Sequence, residues 1–215
     1  MKNLALLSVL LWTLVTAQWT QAKIISMAVG QARDHVLTSR EVQINQALEQ
    51  LLYPEKKSTS IKIITDTDSP SFAKQVTSAL LEWVVYIEAN SMNVEPATAA
   101  ELNAAELKVK TVLSKLAAWK NLKATPKEVQ GALARKIQAK KFIRFRADSS
   151  VVPISESEAQ RYFEQNRLKF GDLPYENFRT NIKGFLARQQ VERRLKDWFE
   201  VLQAKYQVRN FLAEL

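Results

Sequence analysis

Ser69-Pro70-Ser71-Phe72-Ala73-Lys74-Gln75-Val76-Thr77-Ser78-Ala79-Leu80-Leu81-Glu82-Trp83-Val84-Val85-Tyr86-Ile87 is the stretch that decides the fold. Pro70 suits the first position of a helix, where its missing N–H would have no intrahelical partner. Phe72, Val76, Ala79, Leu80, Trp83 and Ile87 then fall on one face, and Leu81, Val84 and Val85 broaden it. A helix this apolar around its circumference is a core helix.

Helix signals continue on both sides. Upstream, Thr38-Ser39-Arg40-Glu41 has capping-box spacing, and Ile44, Ala47, Leu48 and Leu51 repeat at helical period until Tyr53-Pro54. Ile24 to Val29 reads as a short extended run, Gly30 and Asp34 as a turn, and His35-Val36-Leu37 as a second extended piece. Lys56 to Asp68 reads as a polar loop around a strand-like Ile61–Ile64 patch.

Downstream, Thr98 and Glu101 start a helix with Leu102, Ala105, Val109, Val112, Leu113 and Leu116 inward. Thr125-Pro126-Lys127-Glu128 combines cap, proline and carboxylate, with Val129, Leu133 and Ile137 as the inner face. Ser149 to Pro153 is a break. Ser155 and Glu158 form another capping box, with Ile154 and Ala159 as a staple across it. A long helix is predicted from about Tyr175 to Lys205, with Gln207–Phe211 as a closing strand. The fold class is mainly α, a helical lobe with a small strand pair formed by the two termini. Its organisation is residues 1–22, 23–148, 149–174 and 175–215.

The chain has 215 residues, 47% apolar and 25% charged, which fits a folded domain. It holds no cysteine and one histidine, so thiolate zinc sites, cysteine nucleophiles and two-histidine metal sites are excluded. Its four glycines are scattered, and no phosphate-cradling loop can be assembled from them. No metal, cofactor or catalytic constellation is expected.

Residues 1–22 read as a signal peptide: Lys2, the apolar run Leu4–Ala17, and small Thr20 and Ala22 before a cut. Val15 and Ala17 allow an earlier cut. The run is shorter than the ~20 apolar residues of a spanning helix. The reading is an exported, periplasmic protein.

The order of these signals resembles a known family. "Asp-His-Val-Leu-Thr-Ser-Arg-Glu-Val" at 34–42 looks like the strand, turn and first helix that open the SurA-like periplasmic chaperones and peptidyl-prolyl isomerases. "Pro-Ile-Ser-Glu-Ser-Glu-Ala-Gln-Arg-Tyr-Phe" from Pro153 resembles their connector helix. The segment from Asn181 through Leu202, followed by Tyr206-Gln-Val-Arg, resembles their closing helix and strand. In such relatives a parvulin domain separates connector from closing helix; here Gly171–Pro174 alone separates Phe170 from Tyr175. The resemblance therefore implies the chaperone module without its isomerase domain, so isomerase activity is not carried over. It implies a holdase that binds unfolded exported or outer-membrane polypeptides through an apolar groove, without ATP or cofactor. Trp119, Phe142, Phe145, Phe185 and Trp198 are the candidate groove residues.

Charge supports a different reading. Between Lys115 and Arg146 lie ten basic residues against Glu128 alone. Lys120, Lys123, Arg135, Lys136, Lys140, Lys141, Arg144 and Arg146 are the candidate basic surface, suited to acidic clients, anionic lipid or lipopolysaccharide. Nucleic acid would suit the charge equally but is not expected for an exported chain. An envelope protein that binds polyanions, and a family member with residual isomerase activity, thus stand as alternatives. His35 reads as a turn residue, the Glu156–Glu158 pair as capping, and Asp66 and Asp68 as a polar loop rather than a calcium site.

Overall fold

The computed structural model describes residues 26–54 and 60–213; the predicted signal peptide lies outside them. Among the described residues three strands and seven α-helices follow in the order β1 (Ala28–Ala32), β2 (His35–Thr38), α1 (Ser39–Leu52), α2 (Pro70–Ser91), α3 (Ala99–Thr111), α4 (Ala117–Leu122), α5 (Pro126–Ser149), α6 (Glu156–Gln165), α7 (Arg179–Lys205) and β3 (Arg209–Asn210). The chain is mainly helical, with a small antiparallel sheet ordered β2-β1-β3. Gly30 pairs with Asn210 and Gln31 with Arg209, so strands near the two ends of the described chain close on each other.

The starts of the helices are set locally. Thr38, Ser69, Thr98, Thr125 and Ser155 each accept a backbone N–H from the first turn of the helix they cap. At Thr98, Thr125 and Ser155 the glutamate three residues on reaches back to complete the box. Each such cap stabilises a helix by about 1 kcal/mol, because it satisfies donors that have no intrahelical acceptor.

α2 is the central helix, as its composition requires. It packs against α1, α5, α7, β1 and β3. Its Phe72, Val76, Leu80, Val84 and Val85 join Val29, Leu37, Phe142, Leu202 and Tyr206 in one core cluster. A second cluster lies between α1, α3, α4 and the first half of α5, around Ile44, Leu48, Leu113, Trp119, Leu133 and Ile137. A third, smaller one joins α6 to the first half of α7 through Ala159, Phe163 and Ile182. α7 therefore spans two bodies of packing: its first half closes the α6 hairpin, and its last turns close the main core. α6 and α7 are joined by residues 166–178, which hold two 3-10 turns.

Four sequence expectations change in place. Gly30 lies inside β1, and the turn is at Arg33-Asp34. Val112 caps α3 and is exposed rather than inward. The long helix begins at Arg179, after the 3-10 turn Tyr175–Asn177. Ile61–Ile64 is extended but is no strand, because its hydrogen-bonding partners are side chains. Lys62 exchanges bonds of 2.9 and 2.7 Å with the Gln50 amide, Ile64 N–H donates to Gln46 Oε1, and Gln43 donates to the Ile64 carbonyl. Three glutamines on one side of α1 thus satisfy the backbone that a neighbouring strand would otherwise serve.

Candidate functional site

The five candidate groove residues do not form one groove. Trp119 is 8% exposed in the second core cluster, and Phe142 is 1% exposed in the first, so neither lines an open surface. Both are corrected to core residues: helical spacing puts an aromatic on a face, and here α1 and α7 cover those faces. Trp198 is half-buried, edge-on to Phe142 with ring centroids 5.5 Å apart, and the Arg146 guanidinium lies over it. Phe185 is half-buried against Tyr162 in the α6–α7 hairpin. Phe145 is open to solvent, 61% exposed.

Phe145 has exposed apolar neighbours along the chain that the sequence reading passed over. Val151 and Val152 are exposed in the link that follows α5, and Arg194 of α7 donates to the Ser150 carbonyl at 2.7 Å, tying that link to α7. Two adjacent valines inside the Ser149–Pro153 break are the sequence signal for this patch. Leu168 and Leu173, also exposed, stand on the turn between α6 and α7.

The candidate basic surface divides in the same way. Arg135 and Lys136 are interior residues, Lys136 only 1% exposed. They are corrected from surface to core, because three glutamates that lie far away in sequence fold against them. Lys136 Nζ lies 2.8 Å from Glu49 of α1 and also bonds Glu82 of α2. Arg135 bonds Glu82 through Nε at 3.1 Å and lies 3.4 Å from Glu41. Lys140 pairs with Glu49, Lys141 with Glu101, and Arg144 lies 3.9 Å from Asp148. Lys120 and Lys123 are exposed.

His35 joins this charged seam instead of serving only as a turn residue. Its ring stacks on Trp83 at 3.8 Å, and its Nε2 lies 3.1 Å from Glu41. The Trp83 indole N–H donates to the other Glu41 oxygen at 2.7 Å, and the Arg135 guanidinium covers the indole face. Burial pushes the Glu41 carboxyl up, but the His35 bond, the Arg135 charge and the Trp83 bond outweigh it and hold the pKa below its usual value. Glu49 is likewise held low: burial opposes the charged form, and Lys136 and Lys140 more than offset it. A buried seam whose acids and bases satisfy one another positions α1, α2 and α5.

Glu156 and Glu158 are both accounted for without acid–base chemistry. Glu158 closes the cap on Ser155, and Glu156 receives bonds from Tyr175, Arg179 and Lys183. Asp66 accepts the Asp68 N–H in a turn leading to the Ser69 cap. Among the described residues no cluster of three or more metal-ligating acidic, histidine or cysteine side chains is found. Nor is any helix there long and apolar enough to cross a membrane. Comparison of the chain with protein-family models, with curated proteins and with solved structures finds no match to any of them.

Proposed function

We propose that the chain is a SurA-like holdase, which binds unfolded exported or outer-membrane polypeptides in the periplasm by apolar contact and without ATP. The observation that carries this reading is the run Phe145, Val151 and Val152, exposed at the end of α5. Burying what remains exposed of these three side chains, about half of each, contributes on the order of 2–5 kcal/mol. Association costs on the order of 4 kcal/mol or more. The net affinity is weak and exchangeable, which suits holding a chain that must later be released to fold. Such burial is non-directional, so it does not select one client sequence. The pairing of β1 with β3 supports the reading further, since the resemblance joins the same two ends into one lobe.

The test is suppression of aggregation of a diluted, unfolded outer-membrane protein, at low and high salt. Suppression that persists in high salt, and is weakened by Phe145→Ser with Val151→Ser and Val152→Ser, is the expected result. No suppression at several-fold molar excess would overturn the proposal.

A further inference from the structure

The cations left free after the buried seam is removed point to a second surface. The twenty residues from Lys108 to Lys127 contain six lysines and no acidic residue, against a net charge of +9 for the entire chain. Lys108, Lys110, Lys115, Lys120, Lys123 and Lys127 are all exposed. Among the described residues none of the six takes part in an ion pair, whereas Lys136, Lys140 and Lys141 each do.

Two of these lysines sit where the fold itself would favour another residue. Lys123 follows α4 in the left-handed region, φ 48°, a place glycine occupies most readily. Lys127 lies in the first turn of α5, where the helix dipole disfavours a positive charge. Their charge does not serve local stability.

Exposed apolar side chains lie among them. On α3, Ala105 and Val109 face the core while Leu107, next to Lys108 in sequence and three residues before Lys110, points away from it and is 62% exposed. Val112, at the end of α3, is also exposed. We propose that the α3–α4 edge, from Leu107 to Lys127, docks peripherally on an anionic lipid bilayer, with the lysines over the headgroups and Leu107 and Val112 entering the interface. Lysine on a long stem is suited to this arrangement: the ammonium stays with the phosphates while the methylenes cover apolar surface. A nucleic-acid surface is less well served. The segment's one aromatic residue, Trp119, is buried and offers no base a stacking platform. This surface is distinct from the Phe145 run, so the inference does not depend on the holdase reading.

The experiment is co-sedimentation of the full chain with vesicles of phosphatidylcholine alone and of phosphatidylcholine mixed with phosphatidylglycerol. Binding to the mixed vesicles only, falling with salt, is expected. Lys108→Gln with Lys110→Gln and Lys115→Gln should weaken it on the order of a hundredfold. Arg161→Gln with Arg188→Gln and Arg193→Gln removes the same charge elsewhere and should leave most of the binding intact. Leu107→Ser with Val112→Ser should weaken binding at every salt concentration. Equal loss in the two charge-removal variants, equal binding to both vesicle types, or no effect of the Leu107 and Val112 changes would each overturn the proposal. So would a single-stranded oligonucleotide that binds more tightly than the vesicles.

Discussion

Gly30 of β1 lies so close to Arg209 of β3 that a Cβ on it would sit 2.8 Å from the Arg209 carbonyl oxygen. The same Cβ would come within 2.9 Å of a Leu80 methyl group from α2. One hydrogen atom at this position lets the sheet that joins the two ends lie directly on the central helix. Gly30→Ala is therefore expected to cost about 1–3 kcal/mol, since the nearest obstacle is backbone and cannot swing aside. Gly131, on the exposed side of α5, has open space around the same added atom. Gly131→Ala should instead stabilise by about 0.5–1 kcal/mol, through a stiffer unfolded chain and better helix propensity. Urea midpoints moving in opposite directions would confirm the pair. A neutral Gly30→Ala would mean that the β1–β3 closure is loose.

Lys136 is held in the interior by two carboxylates, and its removal should be costly. Lys136→Met leaves Glu82 with Arg135 alone and Glu49 with Lys140 alone. Because those partners remain, the expected loss is about 3 kcal/mol, the lower end for breaking a buried pair. Adding Glu82→Gln removes the excess negative charge, so the double variant should be more stable than the sum of the singles predicts. Equilibrium unfolding of the four proteins measures this coupling. Simple additivity would show that Lys136 is packed rather than paired.

Much of the architecture was legible because helix caps are local. Thr38, Ser69, Thr98, Thr125 and Ser155 mark their helices within a few residues, and each cap is present in the structure. The candidate site was much less so, for a reason Lys136 makes plain. Its two carboxylate partners lie 54 and 87 residues away, and no local pattern shows that α1 and α2 will meet α5 there. Phe142 and Phe145, three residues apart on neighbouring faces of one helix, differ for the same reason. α7 covers the first and leaves the second bare. The glutamines of α1 were hidden differently, since nothing in a helical period announces that Gln43, Gln46 and Gln50 will serve an extended backbone.

Glu156 supplies a pH dependence of known sign. Bonds from Lys183, Tyr175 and Arg179 bring its pKa down from 4.5 to about 2, although the carboxylate stays in contact with solvent. It ties the start of α6 to the start of α7, and so it acts on the α6–α7 hairpin more than on the main core. A carboxyl whose pKa is lower folded than unfolded releases its proton more readily in the folded state. Its contribution is therefore complete above the unfolded value near 4.5 and disappears as the pH falls through about 2. NMR titration of the side-chain carboxyl should place its midpoint near 2, and Lys183→Met should raise that midpoint. Between these pH values, the protection of α6 amides, measured as exchange relative to the unstructured chain at the same pH, should fall with acid in the native chain and fall less in Glu156→Gln. A midpoint close to 4.5, or equal acid sensitivity with and without the carboxylate, would show that the three donors do not hold Glu156 in solution.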